Sequence, residues 1–200
     1  MEAIFEEVGH RYYDKQGQQY PSVSWLLQKY GYSNMEYIRN IIGDAAMDRS
    51  SEFGRVCHET TVLDDQDRLE KCDPAIEPYL IGWRQFMADH KPKFIAYEQP
   101  LLSTEWGFAG TADRVEDCGK WLCVPDVKSG VVTKAEEIQT AFYAILIEEH
   151  FKMPVKDRYS VHLKPFGYQK VWHKNKGDLN IARCILTLYR DQKSKGLVKW

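Results

Sequence analysis

Two hydrophobic rhythms divide the chain near residue 92. Before it, apolar positions recur at helical spacing; after it, alternating and β-branched runs take over. Pro21-Ser22 opens VSWLLQKYG, a helix that should stop at Gly31. NMEYIRNIIGDAAMD predicts a second helix, and SSEFGRVCHETTVL a third from about Ser51. DPAIEPYLIGWRQFMADH predicts a fourth, with Asp73 as N-cap and Pro74 in the first turn. From Lys93, the segments KFIAYEQPLLS, WGFAGTADRVE and KWLCVPDVKS read as three strands. Turn residues at Asp117-Cys118-Gly119-Lys120 join the last two into a hairpin. TKAEEIQTAFYAILIEEHF follows as a long helix, with Thr133 and Glu136 in a capping-box pattern. RYSVHLKP and YQKVWH predict two further strands, and GDLNIARCILTLYRDQKSKG a last helix. This order predicts an α/β fold, a mixed sheet flanked by helices, with a mainly helical N-terminal part (1–92) and a sheet-containing core (93–200) in one domain.

Composition changes this picture little. A 44% hydrophobic, 28% charged chain of mean hydropathy -0.52 is an ordinary globular one. The start, MEAIFEEVGHRYYDK, lacks the basic opening and apolar stretch of a signal peptide, and no apolar run is long enough for a membrane span. The expected location is the cytoplasm of a bacterial or phage-infected cell, with no membrane partner. The five cysteines, an odd number without a CxxC pair, are expected reduced and mostly in the core. Charge is uneven: residues 151–200 carry 12 Lys/Arg against 3 Asp/Glu, within a chain of net charge -2. A basic flank beside an acidic body suits phosphate contacts, although a solvated basic surface gives the same count.

The chemistry gathers on the predicted hairpin. Residues two apart on a strand face one side, so Asp126 and Lys128 project together while Val127 points the other way, into the core. A turn at 117–120 brings Asp113, on the preceding strand, to the level of Asp126. Two carboxylates and an ammonium suit phosphodiester hydrolysis with a hard divalent ion. The acids offer oxygen ligands, and the lysine orients the attacking water or steadies developing charge. An acid-x-Lys triplet is common, and Asp89-His90-Lys91 and Asp191-Gln192-Lys193 match it too. Both fall on predicted helices; only Asp126-Val127-Lys128 follows another strand-borne acid.

In order, these motifs resemble the RecB-type and phage-exonuclease branch of the PD-(D/E)XK (restriction-endonuclease-like) nucleases. The matches are Gly110-x-x-Asp113, Asp126-Val127-Lys128-Ser129-Gly130, and a helix with Gln139 and Tyr143. An upstream Gly54-x-x-x-His58 matches as well, and YPSVSWLL is similar to the opening of phage-encoded members. The likeness is good over about 20–143 and loose elsewhere. It implies Asp113, Asp126, Lys128, Gln139 and Tyr143 as catalytic residues, the last two touching the DNA backbone or holding Lys128. It implies a metal set of His58, Asp113, Asp126 and Val127, with Glu98 as a further candidate. Gly54 would let its helix approach the sheet closely, and Ser129 and Gly130 would shape the turn into the next helix.

The implied function is a Mg²⁺- or Mn²⁺-dependent DNA exonuclease, serving recombination or DNA processing with a recombination or single-strand-binding protein as partner. An endonuclease, a resolvase, or an inactive binding module of the same fold are the alternatives. Two departures stand out. Ala112, not proline, precedes Asp113, and Pro125 lies in a strand that should be central, so a local distortion is expected there. The four-cysteine pattern of some relatives is absent, so no iron–sulfur cluster is expected.

Overall fold

A computed structural model describes residues 3–130 and 132–198. Its centre is a five-stranded sheet built from β4 (Phe94–Ser103), β5 (Phe108–Asp117), β6 (Leu122–Lys128), β7 (Val155–Lys164) and β8 (Gly167–Trp172). They lie side by side in chain order, antiparallel except for the parallel pair β6–β7. A parallel pair needs a crossover, and α5 (Ala135–Phe151) supplies it. The predicted mixed sheet flanked by helices is therefore present, each of the five strands overlapping a segment that the sequence marks, with β7 starting three residues earlier, at Val155.

Helices cover both faces. On one, α5 and α6 (Gly177–Ser194) bury Ile138, Phe142, Leu146, Ile185 and Leu186 with Leu101, Phe108 and Val124 of the sheet. On the other, α4 (Glu77–His90) packs Leu80, Trp83 and Phe86 against Val127, Tyr159 and Val161. A strand with one neighbour in each cluster, as Val124 and Val127 are, must be apolar toward both sides.

The N-terminal part holds four helices: α1 (Val23–Lys29), α2 (Met35–Ile42), α3 (Asp44–Asp65) and α4. It also holds a three-stranded antiparallel sheet that the helical reading of this region misses: β1 (Ile4–Glu6), β2 (Arg11–Tyr13) and β3 (Gln19–Tyr20). Strands of two or three residues are too short to show alternation. They are anchored from outside, by Tyr12 and Tyr20 packing with Leu102 and Ala109 and by a 2.9 Å bond between the Tyr12 and Thr111 hydroxyls.

Three boundaries also differ. Residues 34–48 do not form one helix: Gly43, at φ +82°, breaks the chain, and the second half runs on into α3. A positive φ costs glycine nothing, so the break falls there. Asp73 does not cap α4 directly; its carboxylate accepts from Ala75 N in a turn, and the helix starts at Glu77. Of the capping box at α5, the reach of Glu136 back to Thr133 N (2.7 Å) is present, while the helix begins two residues later, at Ala135. The cysteines are less internal than expected: Cys57 and Cys123 are buried, Cys72 and Cys118 half-buried, and Cys184 exposed.

Candidate functional site

The expected distortion at Pro125 lies at the centre of the site. The β5–β6 ladder runs through Asp117↔Leu122 and Glu116↔Cys123 and is not continued toward Pro125. Proline has no N–H to give a ladder. Continued at the same register, Asp113 would face Asp126. Instead the Asp113 carboxylate takes up the freed space and accepts a 2.7 Å bond from Val127 N. On its other side β6 stays paired, Asp126 with Ser160 and Lys128 with His162.

Five ionisable side chains meet at this opening. Lys128 Nζ lies 2.7 Å from Asp126 Oδ2. His58 Nδ1, from α3, lies 3.5 Å from both Asp113 Oδ2 and Glu98 Oε1. Donor atoms of His58, Glu98 and Asp113 fall within 4.8 Å of one another. Asp126, turned to Lys128, is outside that group of three, and Glu98, a further candidate in the sequence, is in it. Val127 buries its side chain in the α4 cluster, so it has only its main-chain carbonyl to offer an ion.

The electrostatics are those of an acid cluster short of positive charge. Asp126 is fully buried, and that burial, reinforced by Asp113, pushes its pKa up to about 6 even though Lys128 and His58 pull it down. Burial pushes Lys128 down, but Asp126 and Asp113 outweigh it and hold the ammonium above the ordinary lysine value. His58 behaves alike: burial lowers it, and Asp113 and Glu98 bring it above 6.5. Both Asp126 oxygens and Glu98 Oε1 are buried without a well-directed hydrogen bond, although Lys128 Nζ lies 2.7 Å from Asp126 Oδ2 and His58 Nδ1 and Arg114 Nη1 each lie 3.5 Å from Glu98 Oε1. Buried carboxylate oxygens in a native fold are nearly always satisfied, and oxygens so incompletely bonded fit a cation that would complete them. Glu98 also sits at φ +40°, a strained backbone for a side chain with a Cβ, of a kind that collects at working sites.

The other residues singled out by sequence surround this centre. Gln139 Nε2 donates to the Tyr143 hydroxyl (3.1 Å), one turn apart on α5. Burial, with Asp113 and Asp126 nearby, keeps Tyr143 protonated far above its usual range. Tyr143, Glu98 and Asp113 line a cavity of about 170 Å³. Gly110 is there for room: a Cβ would stand 2.8 Å from Val23 Cγ2 and 3.1 Å from Tyr143 Cε1. Gly54 is different. A Cβ there would lie 3.5 Å from Ser129 Oγ, an ordinary contact, so the approach of α3 does not demand glycine. Glu59 pairs with Arg55 on the helix surface, away from the group.

Sequence reasoning missed two supports. Arg114, completely buried, lies behind Asp113 and holds Asp65 Oδ2 (2.9 Å), Thr61 Oγ1 (3.0 Å) and the Asp113 carbonyl (2.9 Å). Its one signal was a cation within an otherwise strand-like run. Glu136 and His162 form a buried pair at 2.9 Å next to Lys128. The sequence marks Glu136 only as a capping residue.

A family model described as the PD-(D/E)XK nuclease superfamily matches residues 66–182, more than half the chain. The match takes in Glu98, Asp113, Asp126, Lys128, Gln139 and Tyr143; His58 lies before it. No curated protein matches the sequence. Among solved structures, the fold is similar to a crystal structure from Eubacterium rectale described as a "putative exonuclease", at TM-score 0.59 and 10% identity, over 90% of this chain and 83% of that one. At that identity the likeness speaks for the fold, a restriction-endonuclease-like mixed sheet with helices on both faces. Matched by that family's model over more than half of its length and sharing the fold, the chain belongs to the PD-(D/E)XK nuclease superfamily.

Proposed function

We propose that this protein is a DNA exonuclease that hydrolyses phosphodiester bonds with Mg²⁺ or Mn²⁺ held by His58, Glu98, Asp113 and Asp126. The observation that carries the reading is the set of incompletely bonded buried oxygens on Asp126 and Glu98 beside a charged Lys128. A bound divalent ion supplies charge to the phosphoryl oxygens and acidifies water. Imidazole in the ligand set favours Mn²⁺ over Mg²⁺. The chain's own groups do the rest. Asp113, fixed by Val127 N, presents one oxygen to the opening. Lys128 orients the attacking water and steadies charge that grows on the phosphate. Gln139 and Tyr143 hold the strand or the lysine in place. Residues 1–92 and 93–200 serve as one domain, since α3 from the first part brings His58 to acids of the second.

The same reading gives a role in phage recombination or DNA processing, beside a recombination or single-strand-binding protein. It rests on the likeness of the opening segment to phage-encoded members. The test is a time course on end-labelled linear DNA and on a closed circular plasmid, with Mg²⁺, Mn²⁺ or EDTA. Loss of linear DNA from its ends with the circle spared is expected. Nicking of the circle at the same rate would replace the exonuclease by an endonuclease, and no cleavage with either ion would remove the catalytic assignment.

A further inference from the structure

At the far end of the sheet from Lys128, a pocket of about 200 Å³ lies between the start of β7, the end of β8 and the segment that leads into α6. The β6–β7 register sets Lys128 beside His162, whereas the pocket takes residues 155–158, opposite Leu122, Cys123 and Val124. Six strand positions, roughly 20 Å at ~3.3 Å each, separate Lys156 from His162.

The charge of this pocket is one-sided. Lys156, Lys174 and Lys176 stand exposed around it, and among the described residues none of the three has a carboxylate partner. Among the described residues Asp157 is the one acid on its wall, and Asp157 Oδ2 accepts from Trp121 Nε1 at 3.1 Å. Arg158 is spent on Asp178, Thr140 and two main-chain carbonyls. The start of α6 offers little, since Gly177 N is held by Asn175 Oδ1 and Asp178 is an acid. The free positive charge is therefore that of the three lysines.

His173 forms the inner wall and is only 6% exposed. Its Nε2 lies 2.8 Å from Ser160 Oγ, while Nδ1 is buried without a hydrogen-bond partner. With Nε2 turned to Ser160 in the sheet, Nδ1 is on the edge of the ring left to the pocket. Burial and Arg158 hold this imidazole below its ordinary 6.5, so at neutral pH it carries one ring proton. When Ser160 donates to Nε2, that proton is on Nδ1, a donor with nothing in the fold to accept from it. A buried polar group left unmet points to an ion or molecule from outside.

Unpaired ammonium groups and an unmet N–H together suit an oxyanion. A phosphate monoester brings nearly two negative charges and three acceptor oxygens, enough for the imidazole and the lysines at once. A carboxylate has one charge and two oxygens. The room, below the ~300–1,000 Å³ of pockets that hold whole drug-sized ligands, suits a phosphate headgroup.

We propose that this pocket is a phosphate site, separate from the catalytic centre, in which one oxygen accepts from His173 Nδ1 and Lys156, Lys174 and Lys176 balance the charge. It does not depend on the nuclease reading. A free nucleotide and a DNA strand offer the same oxyanion, and the ligands of the test tell them apart. Imidazole ¹H–¹⁵N spectra of the whole protein are followed in EDTA, at fixed ionic strength. The ligands are inorganic phosphate, deoxyadenosine 5′-monophosphate and a 20-base-pair duplex. The His173 ring signals should shift and saturate. Lys156→Glu and Lys174→Glu, both at exposed positions, should each weaken binding about tenfold, as loss of one charge-assisted hydrogen bond does. Lys164→Glu makes the same charge change outside the pocket and should leave affinity within about twofold.

Tighter binding of the mononucleotide than of the duplex assigns the site to a free phosphate monoester, and the reverse order assigns it to DNA; either upholds a phosphate site. No His173 shift with any of the three ligands would overturn the proposal, as would equal weakening by Lys164→Glu and Lys174→Glu. Because no metal is present, failure to cleave DNA would sink the nuclease reading and leave these results standing.

Discussion

Two buried ion pairs on adjacent strands, Arg114–Asp65 and Lys128–Asp126, have the same charges and opposite chemistry. Arg114 is closed: its guanidinium reaches Asp65, Thr61 and a main-chain carbonyl, lies 3.5 Å from Glu98 Oε1 at the edge of the site, and has Trp83, Phe94 and Tyr97 within 5.2–5.9 Å of it. Asp65 in turn accepts from Trp83 Nε1 at 2.8 Å. Asp126 is open: an ammonium lies 2.7 Å away, yet neither oxygen has a well-directed hydrogen bond. A buried pair repays its desolvation only when its remaining valences are filled. The closed pair is thus complete within the fold, and the open one is not. That difference separates the two pairs more sharply than charge, which they share, or burial, in which only the partly exposed Lys128 stands apart.

The comparison breaks most visibly if the two pairs are cut in parallel. Asp126→Asn should abolish cleavage while the protein stays folded, because Lys128 is partly exposed and can turn to water. Arg114→Met should cost stability instead, about 3–5 kcal/mol, since it strands Asp65 as an unpaired buried charge. Denaturant melts and single-turnover rates on the two proteins give the four numbers. A marginally stable Asp126→Asn together with an undisturbed Arg114→Met would reverse the assignment.

Within the open pair, Lys128→Ala should keep metal and DNA binding and lose about 10²–10³ in rate, roughly 2.7–4 kcal/mol. Lys128→Arg should recover little, because a planar guanidinium does not replace a compact ammonium. A surface-type salt bridge would cost at most about 1 kcal/mol of stability and no rate, so full activity in folded Lys128→Ala would end its catalytic role.

An incomplete site should also gain stability from what completes it. Mn²⁺ at a hundred times its dissociation constant should raise unfolding free energy by about 2.7 kcal/mol, read as a rise in melting temperature over EDTA. His58→Ala should lose part of that gain and Asp126→Asn most of it. An equal metal-induced shift in all three proteins would place the ion elsewhere.

The open pair was legible in sequence and the closed one was not, for a physical reason. Asp126-Val127-Lys128 carries its geometry in its spacing, because a strand alternates and a hairpin turn fixes the level of Asp113. Pro125 signalled the interrupted ladder through the N–H it lacks. Arg114 and Asp65 meet across 49 residues, and such a pairing leaves no local trace. The same limit applies to Glu98, whose place beside His58 depends on how β4 lies against β5 and α3. The short N-terminal strands were hidden because tertiary contacts, not their own pattern, make them strands.

The smallest effect concerns the pair that is intermediate between the other two, Glu136 and His162. Both are buried, and their contact is 2.9 Å. Burial alone would raise the carboxyl and lower the imidazole. The hydrogen bond and mutual charge prevail, leaving Glu136 below its ordinary 4.5 and His162 above its ordinary 6.5. A depressed carboxyl stabilises the fold above about pH 4.5 and loses that contribution as pH falls through its folded value. A raised histidine stabilises it below about pH 6.5 and loses that contribution as pH rises through its folded value. The pair therefore helps most between about pH 4.5 and 6.5, with a falling limb on each side. Glu136→Gln removes the charge and keeps an oxygen for Thr133 N. The difference in melting temperature between wild type and this variant, measured in EDTA from pH 3.5 to 9, should trace that dome. A difference that does not vary with pH would mean that the contact is neutral, a hydrogen bond that shapes the turn before α5 without placing charge beside Lys128.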